Sequence, residues 1–325
     1  MNVLVLSYAD VQRLLPMDAC IEVMAEALRT TSRGDAVLPL RNVVWKPDRS
    51  GMIGMMPGYL GQPQSLGLKV VSIFPGNHGT GFDSHQGVVM LFDLAHGSPL
   101  AILDASSITA IRTAAVSGVA TRALARSDAG DLAILGSGVQ ATTHLAAMRA
   151  VRTIRRVRVW SRSRDHAQQF ADRSPVPVEV MATARAAVEG ADLICTTTSA
   201  REPVLEGAWI APGAHINAVG ACFATWRELD TAAVARSRLY TDRRESMINE
   251  SGDFLIPRRE GAFGDDHILG ELGDVLLERV AGRRSPDEVT LFKSLGIAIM
   301  DLAAAHHIHA QAVATGAGVS VPLGP

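Results

Sequence analysis

Three cations stand where charge is unusual. Arg41 lies in "LPLRNVVW", Lys69 in "GLKVVSIF" and Arg112 in "ITAIRTAAVSG". Each is flanked by apolar or small residues, and a charge in such a setting needs a partner. Where no carboxylate of the chain supplies it, a ligand carboxylate does, and three such cations point to a small carboxylic acid as substrate. Each also has a plain reading as a structural cation with its stem along apolar surface. Of the three, Lys69 is the one that can change proton state, because a buried lysine shifts its pKa readily and an arginine does not.

A second constellation is "AILGSGVQA", which reads Gly136-x-Gly138-x-x-Ala141 after an apolar strand and at the start of a helix. The first glycine makes the tight turn and the second lets backbone approach a pyrophosphate. Ala141 keeps the helix close to the strand. The next strand ends in "VWSRSRD". An NAD site wants an acid about twenty residues after the glycines. Ser161, Arg162, Ser163 and Arg164 occupy that region, and hydroxyls with a guanidinium suit a 2′-phosphate. NADP(H) is therefore the expected cofactor, with NAD(H) the alternative.

These groups need a scaffold of some size. At 325 residues the chain has length for roughly two domains. Hydrophobic residues make up 47% and charged residues 20%, the balance of a globular protein with a large core. A net charge of −2 gives no field that would select nucleic acid or an anionic membrane. The apolar run "LGIAIMDLAAA" is short and interrupted by Asp301, which predicts no membrane span. The opening residues carry neither a basic stretch nor a small-residue cleavage site, so no secretory leader is expected. Cys20, Cys195 and Cys222 are odd in number and far apart, as in reduced cytoplasmic proteins.

The pattern along the chain predicts an α/β fold. Ser7 and Asp10 have capping-box spacing, and a helix follows over about Met17–Thr31. The segments "RNVVW", "GMIGMMPGY" and "GLKVVSIFPGN" read as strands, and "GVVMLFDLAHGSPLAILDA" as a hairpin. "SITAIRTAAVSGVATRALA" reads as helix. From Asp131 short apolar strands alternate with helices, the mark of a Rossmann-type doubly wound parallel sheet. "EVTLFKSLGIAIMDLAAAHHIHAQAV" reads as one long closing helix. The expected organisation is an α+β substrate-binding and dimerisation domain at 1–118 plus 300–325, and a dinucleotide-binding domain at 119–299.

Across nearly its whole length the sequence resembles the ornithine cyclodeaminase/mu-crystallin family, nearest to its ketimine reductase branch. The resemblance is carried in order by "RNVV", "GLKVV", "SHQGVVMLFD", "ITAIRTAAVSGVAT", "AILGSGVQA", "HINAVGA", "WRELD", "ESGD", "ELGDV" and "TLFKSLGIAIMDLAAA". It implies a homodimer whose first domain forms the interface and the substrate pocket. It implies that Arg41 and Arg112 clamp the substrate carboxylate, and that Lys69 bonds the reacting nitrogen or oxygen. His85, in the family's Ser-His-Gln, would line the pocket, with a structural hydrogen bond as its plain alternative. Thr109, Gly136, Gly138, Val139, Gln140, Ser161, Arg162, Thr197, Val219 and Ser294 would line the cofactor.

One departure bears on the reaction. Members that resemble true cyclodeaminases have an Asp after "AVG", and this chain has Ala221-Cys222 there. Closing a ring calls for a base to deprotonate the attacking amine. The segment shows no His or Lys to activate the thiol. Reducing a preformed C=N asks for less: a hydride, a held carboxylate and a proton for nitrogen. The reading is NADPH-dependent reduction of a cyclic ketimine carboxylate, such as pyrroline-2-carboxylate or piperideine-2-carboxylate. The alternatives are an amino-acid dehydrogenase of the alanine or N-alkyl type, an ornithine cyclodeaminase, and a low-turnover NADPH-binding crystallin. The remaining features are expected to be structural. His306 and His309 lack a carboxylate partner, so no metal is expected. No G-x-S-x-G is present for a serine hydrolase. Glu250, Asp253, Glu271 and Asp274 read as caps and loop salt bridges.

Overall fold

The computed structural model describes residues 2–77 and 80–324. The chain divides into two compact units, one of 1–112 with 296–325 and the other of 113–295.

The first unit is built on a mixed sheet. Its strands run in the order Val319–Pro322, Asn2–Leu6, Pro99–Asp104, His85–Phe92, Gln64–Ile73, Met52–Gly61 and Ala36–Val37, with Asn42–Trp45 also on Met52–Gly61. Neighbours are antiparallel except Asn2–Leu6 on Pro99–Asp104, a pairing that the apolar alternation of the hairpin did not foretell. The capping box is present: Asp10 N donates to Ser7 Oγ at 3.3 Å and Ser7 N to Asp10 Oδ2 at 3.1 Å. The helix expected near Met17 runs Met17–Ser32 and buries Ile21, Met24, Ala25 and Leu28.

Helix Ala298–Thr315 packs on one face of this sheet and on helix Met17–Ser32. Its first two turns are buried all round. Two glycines let it come close. A Cβ at Gly67 would lie 2.1 Å from Met90 O and 2.9 Å from Leu302 Cδ2, and one at Gly58 would lie 3.2 Å from Ala298 Cβ. Side chains alternate along a strand, so Lys69 points to the same face as Gly67, under the helix. The tail differs from the expected single helix. Thr290–Lys293 is a buried strand, and Gly296, at φ +74°, turns the chain before the helix starts. Buried β-branched and aromatic side chains between two parallel neighbours override the helical pattern there.

The second unit is an all-parallel eight-stranded sheet in the order Glu179–Val180, Arg156–Trp160, Asp131–Leu135, Leu193–Thr196, His215–Ala218, Thr290–Lys293, Arg238–Thr241 and Ile268–Glu271. From Asp131–Leu135 the chain first winds outward one way. It then returns to add Leu193–Thr196 on the other side, which makes a switch point between these two strands. Ligands of such sheets bind beyond the strand carboxyl ends at that point.

Candidate active site

In the first unit, strand Gln64–Ile73 and helix Ala105–Leu124 bring two cations onto one carboxylate oxygen of helix Ala298–Thr315. Lys69 Nζ donates to Asp301 Oδ1 at 3.2 Å and Arg112 Nε donates to the same oxygen at 3.0 Å. Lys69 Nζ also donates to Thr109 Oγ1 at 2.6 Å. Lys69 is 3% exposed, Arg112 4% and Asp301 0%, so water screens none of these charges. Burial drives Lys69 down to about 8; Asp301 opposes that fall, and Arg112 and Arg41 add to it. Arg41 reaches the cluster from the segment before Asn42–Trp45. Its Nη2 donates to Gly296 O at 3.1 Å, and a Cβ on Gly296 would lie 2.7 Å from Arg112 Nη1. Glycine there keeps both guanidinium groups close to one backbone turn.

A carboxylate of the chain, Asp301, pairs two of the three cations, Lys69 and Arg112. The bare ligand-carboxylate inference is corrected accordingly, although the charges still do not balance. Two cations share one carboxylate, which leaves one positive charge in a buried place. Arg112 Nε is taken and Nη1 faces Met300 Sδ at 3.8 Å, while Nη2 donates to no group among the described residues. His85 stands apart. It pairs with Ile73, whereas Lys69 pairs with Val89, a separation of four residues or roughly 13 Å of strand rise. The His85 ring is exposed, with Nδ1 3.0 Å from Ser84 Oγ.

In the second unit, the residues expected to line the cofactor form a row past the carboxyl ends of adjacent strands. Gly136 follows Asp131–Leu135, Ser161 follows Arg156–Trp160, and Thr197, Val219 and Ser294 follow the next three strands. The row is laced by backbone: Gly136 N donates to Trp160 O, Thr197 N to Leu135 O, Val219 N to Thr196 O and Ser294 N to Ala218 O. Gly136 has φ +119°, and a Cβ there would sit 2.7 Å from Thr197 O. No other residue fits that turn without strain. A Cβ on Gly138 would meet nothing within 4 Å, so this glycine leaves an open cradle at the N-terminus of helix Val139–Val151. Val139 and Arg162 are exposed and Gln140 half-buried. Ser137 Oγ donates to Ser161 Oγ at 3.0 Å, tying the turn to the second strand's end. Ser294 Oγ is buried and has no hydrogen-bond partner among the described residues. An open glycine cradle at a helix start and an orphaned hydroxyl in the same row fit a dinucleotide.

Sequence reasoning missed a buried ionic network beside that row. Glu228 accepts from Thr196 Oγ1 at 2.8 Å, Thr198 N at 2.6 Å and Gly220 N at 2.7 Å, so one carboxylate braces the loops after two neighbouring strands. Burial raises its pKa. Asp253, expected to be a cap or a loop salt bridge, is buried. It accepts from Glu228 N and Leu229 N and pairs with Lys293 Nζ at 2.9 Å. Burial alone would lower Lys293, but Asp253, Cys222 and Glu228 outweigh it and hold the ammonium above its ordinary value. Cys222, half-buried, donates to Val219 O at 3.5 Å. The segment itself holds no His or Lys, as its sequence shows, and the cation within electrostatic reach of this thiol is Lys293, distant in sequence. A lone charge in an apolar run, the signal that flagged Arg112, also marks Asp301 and Lys293.

The cysteines are free. Burial raises Cys20, and it pushes Cys195 up to about 12. Among the described residues no helix is long and apolar enough to cross a membrane. No three His, Cys, Asp or Glu side chains among them gather closely enough to hold a metal ion.

The profile described as ornithine cyclodeaminase/mu-crystallin family matches residues 1–316. The ketimine reductase mu-crystallin of Mus musculus is 42% identical over 278 residues, covering 85% of each chain. The Delta(1)-pyrroline-2-carboxylate reductase of Bacillus cereus is 37% identical over 320 residues, covering 97% of this chain and 98% of its own. The structure of Thermococcus litoralis Delta(1)-pyrroline-2-carboxylate reductase in complex with NADH and L-proline superposes with a TM-score of 0.96 at 39% identity, covering 98% of this chain and 100% of that one. The chain belongs to the ornithine cyclodeaminase/mu-crystallin family.

Proposed function

We propose that the protein reduces the C=N bond of a cyclic ketimine carboxylate, pyrroline-2-carboxylate or piperideine-2-carboxylate, to the corresponding cyclic amino acid. The class is that of a nicotinamide-dependent oxidoreductase acting on C=N, as in its reductase relatives. One observation carries the substrate: the buried Lys69–Asp301–Arg112 cluster keeps one positive charge that no group of the cluster cancels. A substrate carboxylate would cancel it. The Thermococcus relative, held in complex with L-proline, supports the same substrate class.

The nicotinamide, when bound, supplies the hydride that the imine carbon takes. The chain's own residues do the rest. Arg112 and Arg41 hold the carboxylate, and Lys69, ammonium at neutral pH, gives the nitrogen its proton. The lost ammonium proton is replaced from solvent, so one hydride and one proton turn C=N into CH–NH. Gly136, Gly138, Val139, Gln140, Ser161, Thr197, Val219 and Ser294 would hold the dinucleotide, with Thr109 fixed on Lys69. His85 would stand at the rim of the substrate site. We assign NADPH over NADH on Ser161 and Arg162, although the Thermococcus relative was solved with NADH.

The outer face of the mixed sheet supports a homodimer. Ile53 and Leu66 are 45% and 39% exposed on adjacent strands, and Leu100 is 37% exposed beyond them. An apolar sheet face of this kind marks an interaction surface. The deciding experiment follows nicotinamide absorbance with NADPH or NADH and each cyclic imine. Oxidation dependent on the imine is expected. Ammonia release from ornithine without imine turnover would replace this reading with cyclodeamination.

A further inference from the structure

Asp301 is the one acid in the buried cluster, and its geometry is specific. Oδ1 takes both Lys69 Nζ and Arg112 Nε, while Oδ2 is buried with no hydrogen-bond partner among the described residues. The close approach of its helix at Gly58 and Gly67 places it there. A carboxylate that served packing alone would be a poor choice in that helix, because its free oxygen stays desolvated at a cost. We infer that Asp301 is the positioning residue of the site: it holds Lys69 as a proton donor and presents the remaining edge of Arg112 to the substrate carboxylate.

This rests on the reaction proposed above. The groups that face Lys69 are Asp301 from helix Ala298–Thr315, Arg112 and Thr109 from helix Ala105–Leu124, and Arg41 from the segment before Asn42–Trp45. Asp301 is the one among them that stabilises the ammonium by charge. Arg112 and Arg41 oppose it, as does burial. Without the carboxylate, Lys69 would be neutral at lower pH and would no longer protonate the imine nitrogen. Cys20, buried near Arg112, is pushed up by burial and stays a neutral thiol. Asp301 therefore acts through Lys69 and Arg112 and needs no contact with substrate.

The test reads Lys69 directly. The full-length protein is labelled with 13C at lysine Cε, and the Lys69 signal is assigned by its absence in Lys69→Arg and titrated without substrate. In the wild type it should titrate near 8. In Asp301→Asn the midpoint should fall by roughly one to three units, the effect of removing one adjacent opposite charge. The alkaline limb of imine reduction should move with it. An unchanged midpoint in Asp301→Asn overturns the proposal, as does a wild-type midpoint at the ordinary 10.5. Should Asp301→Asn not fold, Asp301→Glu decides. It keeps the charge one methylene further out and should raise KM for the imine through a displaced Arg112, and a wild-type KM there overturns the positioning role. The NMR titration needs no turnover, so a protein inactive on cyclic imines would refute the reaction and leave the Lys69 result standing.

Discussion

The two units offer an anion two different kinds of setting. In the second unit the site is backbone: glycines, a helix start and a row of strand ends, with a positive φ at Gly136 and open space at Gly138. In the first unit it is side-chain charge: two cations on one carboxylate, all buried. A backbone site is set by local conformation and tolerates little change in shape. A charge site is set by a balance among residues far apart in sequence, so removing one member alters the others.

The sharpest break of that contrast is within the charge cluster. Lys69→Met should lower kcat/KM for imine reduction by about 10²–10⁴, the usual worth of a positioned general acid, and should leave dinucleotide affinity unchanged. Nicotinamide-absorbance kinetics and cofactor fluorescence titration measure the two. A variant that keeps a tenth or more of wild-type kcat/KM would remove Lys69 from the proton transfer.

The two glycines offer the matched break on the backbone side. Gly136→Val meets both a forbidden φ and Thr197 O, and should destabilise the protein by roughly 1–3 kcal/mol or more. Gly138→Ala meets nothing, and its stability should stay within about 0.5 kcal/mol while cofactor affinity falls. Thermal unfolding and cofactor titration on both proteins separate the roles. Equal loss of stability in the two would mean that the turn is a structural feature with no cradle.

This difference also explains what the sequence could show. The dinucleotide turn, the doubly wound sheet and the row at Ser161 were legible, because short-range spacing and strand–helix alternation determine them. Arg41, Lys69 and Arg112 were legible as odd charges, but Asp301 was read there only as an interruption of an apolar run. Its partners lie 232 and 189 residues away in sequence, and spacing carries no trace of such a contact. The strand Thr290–Lys293 was lost to a helical reading, and Lys293 with it. Consequently the network of Glu228, Asp253 and Lys293 around Cys222 could not be seen.

Proton state gives a subtler test of the charge side. In the proposed reaction Lys69 donates when protonated, and burial, which favours the neutral amine, brings it down to about 8. Imine reduction should therefore be sustained below pH 8 and decline as pH rises through it. A rate that stays flat to pH 10 would assign the proton to another group. On the backbone side, Arg162→Asp should shift preference from NADPH towards NADH by about tenfold or more, the loss of one charge-assisted contact of about 1.5–3 kcal/mol. An unchanged ratio of kcat/KM for the two cofactors would remove Arg162 from 2′-phosphate recognition.

The smallest expected effect concerns Cys222, which lies beside the buried network of the second unit. The resemblance to cyclodeaminases implies an acid at its place, and Cys222 lies within electrostatic reach of the Lys293 ammonium. Asp253 pairs Lys293 at 2.9 Å, so the charge of that ammonium is already answered by a carboxylate. Serine keeps the size and a donor for Val219 O, and it cannot ionise at neutral pH. Cys222→Ser should consequently keep imine reduction within about 0.5 kcal/mol of wild type in transition-state terms, measured as kcat/KM with the same cyclic imine. A large loss would show that the Lys293 charge reaches the sulfur in spite of Asp253, and the thiolate would then enter the mechanism as a second ionisable group beside Lys69.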